Sequence, residues 1–193
     1  MVGDSKQNFP AQIKYNYIDQ SNWLVGDSLN VVIGQGQNAY TPLQMARYIA
    51  TISNGGTKNK VSVVDEVKDP MSGRVLYKNS PTGNKIDIDD FSSLQVIREG
   101  ANMAAKEGHT GRVLGKLPFE MGVKSGTAEV GFTNPVTHQP YSDYGWMVGF
   151  APYDNPQYVI AAVVTQAGTS MNITPMVREI MGTCLEASPK ENK

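Results

Sequence analysis

Lys124-Ser125-Gly126-Thr127-Ala128-Glu129 is the stretch on which the fold turns. One lysine, two hydroxyl side chains and a glycine stand in a run that otherwise reads as extended chain. An internal glycine weakens a strand, so it marks the close approach of another backbone or a ligand. An anionic, peptide-like ligand suits such an edge, held as an added strand by main-chain hydrogen bonds. The competing reading is an ordinary strand with a solvated Lys124 and a bulge at Gly126. Alternation puts Ser125 and Thr127 on one face and Lys124 on the other. A long lysine at a sheet edge can nevertheless curl back.

Working outward, residues 121–130 read as a strand, followed by a turn-rich loop and two β-rich runs at 144–151 and 158–166. Pro152-Tyr153-Asp154-Asn155-Pro156 links those runs as a hairpin connection, so they pair antiparallel. Thr174-Pro175 opens a last helix with the stripe Val177, Ile180, Met181, Cys184 and Leu185. Upstream, residues 89–107 form a helix through Phe91, Leu94, Ile97, Ala101 and Ala104, stopped by Gly108. Before it come two short strands, 61–68 and 74–77, around Asp69-Pro70-Met71-Ser72-Gly73, and then a polar stretch at 79–85.

Thr41-Pro42-Leu43-Gln44 carries a stronger signal: Thr at the N-cap, Pro at the first helical position and Gln at N3. Leu43, Ala46, Ile49 and Ala50 follow at helical spacing, and Asn54-Gly55-Gly56 ends that helix. Gly34-Gln35-Gly36-Gln37 is a glycine-rich turn. Residues 1–33 read as irregular polar chain with apolar anchors at Phe9, Ile13, Tyr15 and Trp23. The order predicts an α+β fold, an antiparallel sheet with packed helices, in which the sheet has more strands than this chain supplies.

Composition removes several function classes. The chain has 193 residues, 40% hydrophobic and 18% charged, which are globular values. Seventeen basic against eighteen acidic residues give a net charge of -1, so no basic excess points to nucleic acid or to an anionic membrane surface. The single cysteine, Cys184, excludes an intrachain disulfide and a cysteine-based zinc cluster, and reads as a small core residue. His109 and His138 sit in loop-like contexts with no His-x-x-x-His spacing, so no metal and no cofactor is expected. The N-terminus lacks an apolar signal segment, and the longest apolar run, 159–164, is too short for a bilayer.

The strand motif gains meaning from its neighbours. Lys124-Ser125-Gly126 is similar to the Ser variant of the third element in the set Ser-x-x-Lys, Ser-x-Asn and Lys-Thr-Gly of penicillin-binding proteins and β-lactamases. Trp23, Gly26-Asp27-Ser28-Leu29-Asn30, Gly34-Gln35-Gly36, Thr41-Pro42-Leu43-Gln44-Met45-Ala46 and Asn54-Gly55-Gly56 resemble the block between the second and third motifs of class B transpeptidases. Trp146-Met147-Val148-Gly149-Phe150-Ala151-Pro152 resembles the strand after the Lys-Ser-Gly strand. The matches run in family order from about residue 23 to the final helix.

The resemblance implies roles by position. Lys124 gives electropositive support to the nucleophile's hydrogen-bond network. Ser125 and Thr127, with Gly126 between them, bind the carboxylate of a D-Ala-D-Ala stem peptide or a β-lactam. The backbone N–H of Thr127 is one half of the oxyanion hole. The implied parent is a serine D,D-transpeptidase that cross-links peptidoglycan, on the outer face of the cytoplasmic membrane. The alternatives are a β-lactam sensor, a serine β-lactamase, or a non-catalytic binding module of the same fold.

No Ser-x-x-Lys occurs in the 193 residues. Thr57-Lys58-Asn59-Lys60 has the spacing with Thr, but follows a Gly-Gly helix end and reads as a surface loop. Ser28-Leu29-Asn30 falls inside the Trp–Gly-Gln-Gly block, upstream of which the family's second motif lies, and Ser170-Met171-Asn172 follows the Lys-Ser-Gly strand, reversing the family order; Ser28 or Asn30 is expected to cap or turn the chain near Gly26. The expectation is that residues 1–193 are the C-terminal portion of one transpeptidase domain, beginning after the second motif. Residues 1–33 are its lead-in, 34–108 a helical and short-strand insert, and 119–187 the core strands and last helix. The nucleophile and the upstream half of the domain are then the missing partner.

Overall fold

A computed structural model describes residues 24–36, 38 and 40–186; Phe9, Ile13, Tyr15 and Trp23 lie outside the described residues. The elements are α1 (Val25–Val32), α2 (Pro42–Ser53), β1 (Thr57–Asn59), β2 (Glu66–Lys68), β3 (Val75–Lys78), β4 (Gly83–Lys85), α3 (Ser92–Lys106), α4 (Gly108–Leu114), β5 (Gly122–Ala128), β6 (Tyr144–Ala151), β7 (Tyr158–Val164), a 3-10 turn (Ser170–Ile173) and α5 (Thr174–Glu186). The fold is α+β.

The sheet that organises the molecule has the order β5-β6-β7, antiparallel throughout. Period two divides its side chains between two cores. On one face Val123, Met147 and Ile160 pack with Leu114 of α4, Ile173 of the 3-10 turn, and Val177 and Met181 of α5. On the other, Val148 and Phe150 pack with Ile49 and Ile52 of α2 and Leu94 of α3. Each fully buried side chain of this size contributes about 1.5–3 kcal/mol by leaving water. Asn102 crosses from α3 to the start of β5, its buried side-chain amide donating to the Met121 carbonyl at 2.9 Å.

The capping box closes as its sequence demands: Gln44 N donates to Thr41 Oγ1 at 3.2 Å, and Thr41 N to Gln44 Oε1 at 2.8 Å. Two orphan donors of the helix start are thereby satisfied. At its far end Gly55 and Gly56 take φ of 76° and 94°.

Several local expectations differ from the structure. The irregular lead-in contains α1, and Ser28 and Asn30 lie inside that helix rather than capping near Gly26. Thr57-Lys58-Asn59 is a strand, not a loop, paired with β4 from the stretch read as merely polar. Only Glu66–Lys68 of the 61–68 run is extended. Gly108, at φ 60°, does end α3, but the chain turns there directly into α4, which carries His109. Ile97 and Ile180 are exposed, and Cys184 is half-buried rather than a core residue.

Candidate active site

Among the described residues β5 is an edge of the sheet, with β6 on one side only. An edge strand presents a row of backbone groups to whatever comes next. The register Lys124↔Val148, Ser125↔Met147, Gly126↔Trp146, Thr127↔Gly145 runs without a shift, so Gly126 is not a bulge. A Cβ at Gly126 would meet only the Trp146 Cβ, at an ordinary 3.6 Å. Nothing within the sheet therefore requires glycine there.

Alternation holds for the side chains. Ser125 and Thr127 share the face of Met147 and Gly145, while Lys124 shares that of Val148. Lys124 nevertheless reaches the strand's edge, because its Nζ donates to the Ser125 carbonyl. Two residues on, Gln35 Nε2 donates to the Thr127 carbonyl at 3.4 Å. Carbonyls two residues apart point to the same side of a strand, so a cation and a side-chain amide meet one row of acceptors.

Thr127 is held on its side-chain face as well. Gly145, its cross-strand partner, has no side chain, and a Cβ there would lie 2.9 Å from the Thr169 carbonyl oxygen and 3.0 Å from Ala167 Cβ. That gap lets the 3-10 turn close in, and Ser170 N donates to Thr127 Oγ1 at 3.4 Å. An accepting hydroxyl keeps its own proton to donate elsewhere. Asn172 Nδ2 to the Ala167 carbonyl at 2.7 Å and Gly168 N to the Asp143 carbonyl at 2.9 Å fix the turn. Asp143 Oδ1 also accepts from Val130 N at 3.3 Å, just beyond β5.

Lys124, Ser125, Gly126 and Thr127 thus lie along one open strand edge. Sequence reasoning missed the other two participants. Gln35 was visible only as part of a glycine-rich turn. Ser170 belongs to a Ser-x-Asn triplet set aside as out of order, and it touches Thr127 through a backbone amide, which leaves no side-chain signal. His109 and His138 are exposed; among the described residues no group of three His, Cys, Asp or Glu could hold a metal ion. A shallow cleft lies elsewhere, between α2 and the ribbons, lined by Leu43, Val61, Val63 and Tyr77, and includes none of the β5 residues.

Residues 6–182 match the family described as the penicillin-binding protein transpeptidase domain. Penicillin-binding protein 2A of Bacillus subtilis is 32% identical over 182 residues, covering 88% of this chain and 25% of that protein. The peptidoglycan D,D-transpeptidase MrdA of Haemophilus influenzae is 27% identical over 173 residues, covering 82% of this chain and 26% of that protein. Among solved structures, penicillin-binding protein 2B from Streptococcus pneumoniae superposes with a TM-score of 0.72 at 25% identity, over 91% of this chain and 29% of that one. Penicillin-binding protein A from M. tuberculosis, solved as an imipenem acyl-enzyme complex, gives 0.68 at 25% identity, over 81% and 33%.

This antiparallel sheet with packed helices is the fold of the penicillin-binding proteins on which the chain superposes. The chain belongs to the penicillin-binding protein transpeptidase domain family, with relatives of the class B type. It spans about a quarter of the length of the curated relatives it matches.

Proposed function

We propose that this chain forms one wall of a serine D,D-transpeptidase site, as the C-terminal portion of the domain. The observation that carries the reading is the edge position of β5, with the Lys124 ammonium drawn to the same side as the Thr127 carbonyl. In this reading a serine of a Ser-x-x-Lys helix, on the upstream half of the domain, attacks the carbonyl between the last two D-Ala residues of a stem peptide. Its proton passes to the neighbouring lysine and on to the leaving D-Ala amine as the C–N bond breaks. The acyl-serine is then taken by the amine of a second stem peptide, or is left as a stable adduct by a β-lactam.

Each β5 residue has a part in that sequence. Lys124 stabilises the negative charge that gathers around the nucleophile and the substrate carboxylate. The Ser125 and Thr127 hydroxyls bind that carboxylate, and Gly126 admits the ligand backbone. Thr127 N–H and the nucleophile's own N–H hold the oxyanion. The domain works on the outer face of the cytoplasmic membrane; among the described residues no helix is long and apolar enough to cross a bilayer.

α1 offers a surface for the upstream half. Leu24, Val25, Leu29, Val32 and Ile33 are between 66% and 83% exposed, and the helix buries none of its residues. A contiguous apolar patch of this kind marks a contact surface.

The test uses a fluorescent penicillin. The chain alone remains unlabelled, and the chain combined with its upstream half becomes labelled on a serine of that half. Lys124→Ala in the combined domain loses most of the acylation. A covalent adduct on a serine of this chain, or full labelling of the Lys124→Ala domain, would falsify the reading.

A further inference from the structure

Gly34 and Gly36 both hold left-handed backbone, with φ of 84° and 66°, a conformation that strains any residue with a side chain. A Cβ at Gly36 would also press on Asn30 Cβ at 3.2 Å. The residue between these glycines is fixed at both ends. Gln35 N donates to the Asn30 carbonyl at 2.9 Å, and the Gln35 carbonyl accepts from Asn38 Nδ2 at 3.2 Å. Asn38 Nδ2 also donates to the Val31 carbonyl at 2.9 Å, which ties the turn to the end of α1. From this fixed backbone the half-buried Gln35 side chain crosses to the Thr127 carbonyl, 92 residues away in sequence.

In an extended strand the N–H and C=O of one residue point to the same side. A donor that holds the Thr127 carbonyl therefore also sets the direction of the Thr127 N–H. We propose that Gln35 is a positioning residue for acyl transfer, its side-chain amide fixing the Thr127 edge so that Thr127 N–H is aimed at the developing oxyanion. The proposal rests on the reading of Thr127 N–H as an oxyanion donor. It adds a residue that acts through Thr127 and touches no reacting atom.

The consequence is a defined kinetic pattern. Removing a direct oxyanion donor slows an enzyme about 10²–10³-fold, and losing a residue that only steadies one is expected to cost no more than about 10²-fold. The loss falls on the first-order acylation step and spares the initial binding constant, because the oxyanion exists only in the transition state.

Gln35→Ala and Gln35→Glu separate a donor from a filler of space. Glutamate has the shape of glutamine but, when ionised, offers only acceptors to a carbonyl. In the complete domain, this chain together with the segment bearing the nucleophile, Gln35→Glu is expected to acylate no faster than Gln35→Ala at pH 7.5. It recovers relative to Gln35→Ala as pH falls toward the ordinary glutamate range near ~4.3, where the neutral acid donates again. In the 193-residue chain the Thr127 carbonyl carbon resonance shifts in both variants while resonances of β6 and β7 stay in place. Gln35→Glu acylating at the unaltered rate, either variant acylating faster, or an unmoved Thr127 carbonyl resonance would each overturn the proposal. Lys124→Ala serves as the reference: if it abolishes acylation while Gln35→Ala changes nothing, the transpeptidase reading stands and the role of Gln35 falls. If neither substitution matters, the reading of the site itself has failed.

Discussion

The sheet β5-β6-β7 and the two ribbons β1-β4 and β2-β3 are built from overlapping residue types, yet among the described residues only the sheet has a cover. Met147 and Phe150 are 0% and 1% exposed, whereas Val75, Leu76 and Tyr77 of β3 are 46%, 54% and 48% exposed. An isolated two-stranded ribbon is marginal in water, because pairing alone does not offset the chain entropy lost. The ribbons hold their shape by local and basal contacts instead. Asp69 accepts from Met71 N at 2.9 Å and Ser72 N at 2.8 Å in the β2-β3 turn. Arg47 Nε donates to the Asn59 carbonyl and Lys85 Nζ to the Gly55 carbonyl, both at 2.8 Å, tying β1 and β4 to the helix before them. Strand pairing forms both regions, and burial makes only one of them a scaffold.

The largest expected effect follows from that contrast. Phe150 fills the space over Gly122, where a Cβ would lie 2.5 Å from its ring, and lies 5.9 Å from the Arg98 guanidinium. Phe150→Ala is expected to lower stability by about 3–5 kcal/mol in urea unfolding. Leu76→Ala in the ribbon should change it by no more than about 0.5 kcal/mol. A ribbon substitution costing as much as the core one would break the comparison.

The same contrast explains what could be read from sequence. The capping box at Thr41 and Gln44 was legible because both partners lie within one turn. The long strands were legible because their apolar residues continue past the length of a turn, with a Pro-rich hairpin between two of them. β1 and β4 were not, since Thr57-Lys58-Asn59 and Gly83-Asn84-Lys85 have no alternation and depend on a pairing of distant chain, Thr57 with Lys85. α4 was hidden because Gly108 does end α3, and a helix rarely restarts at the next residue. In the site, the motif placed Lys124, Ser125 and Thr127 together because they share one strand. The reach of Gln35 and the approach of Ser170 depend on tertiary contacts that no local pattern encodes.

Two glycines on paired strands sharpen the comparison at smaller magnitude. Gly145→Ala would set a methyl 2.9 Å from the Thr169 carbonyl oxygen, with little freedom for that backbone to yield. It is expected to cost about 1–3 kcal/mol, the range for overpacking. It should also displace the Ser170 amide from Thr127. Gly126→Ala meets only an ordinary contact, and alanine replaces glycine in a strand with a gain of about 0.5–1 kcal/mol. Thermal unfolding should therefore move in opposite directions for the two variants. Equal losses would mean that Gly126 is required by the fold and not by a ligand.

The smallest effect concerns two carboxylates held below their ordinary range for different reasons. Glu120, at the entry to β5, is lowered first by its hydrogen bond from Lys106, 2.8 Å away, and further by that ammonium's charge. Asp69, in the ribbon turn, is lowered first by the backbone N–H of Ser72 and then by that of Met71. A depressed folded-state pKa stabilises the native form above the unfolded value, and the contribution disappears as pH falls through the folded one. Both groups are surface-exposed, so the expected readout is a carboxyl titration by NMR rather than a stability change. Lys106→Ala should raise the Glu120 midpoint toward the ordinary glutamate value and leave Asp69 where it is. Urea concentrations that loosen the contact between α3 and the start of β5 should release Glu120, while Asp69 keeps its low midpoint as long as its own turn persists. Simultaneous release of both would mean that the ribbon and the sheet unfold as one unit, and that the scaffold extends further than its burial indicates.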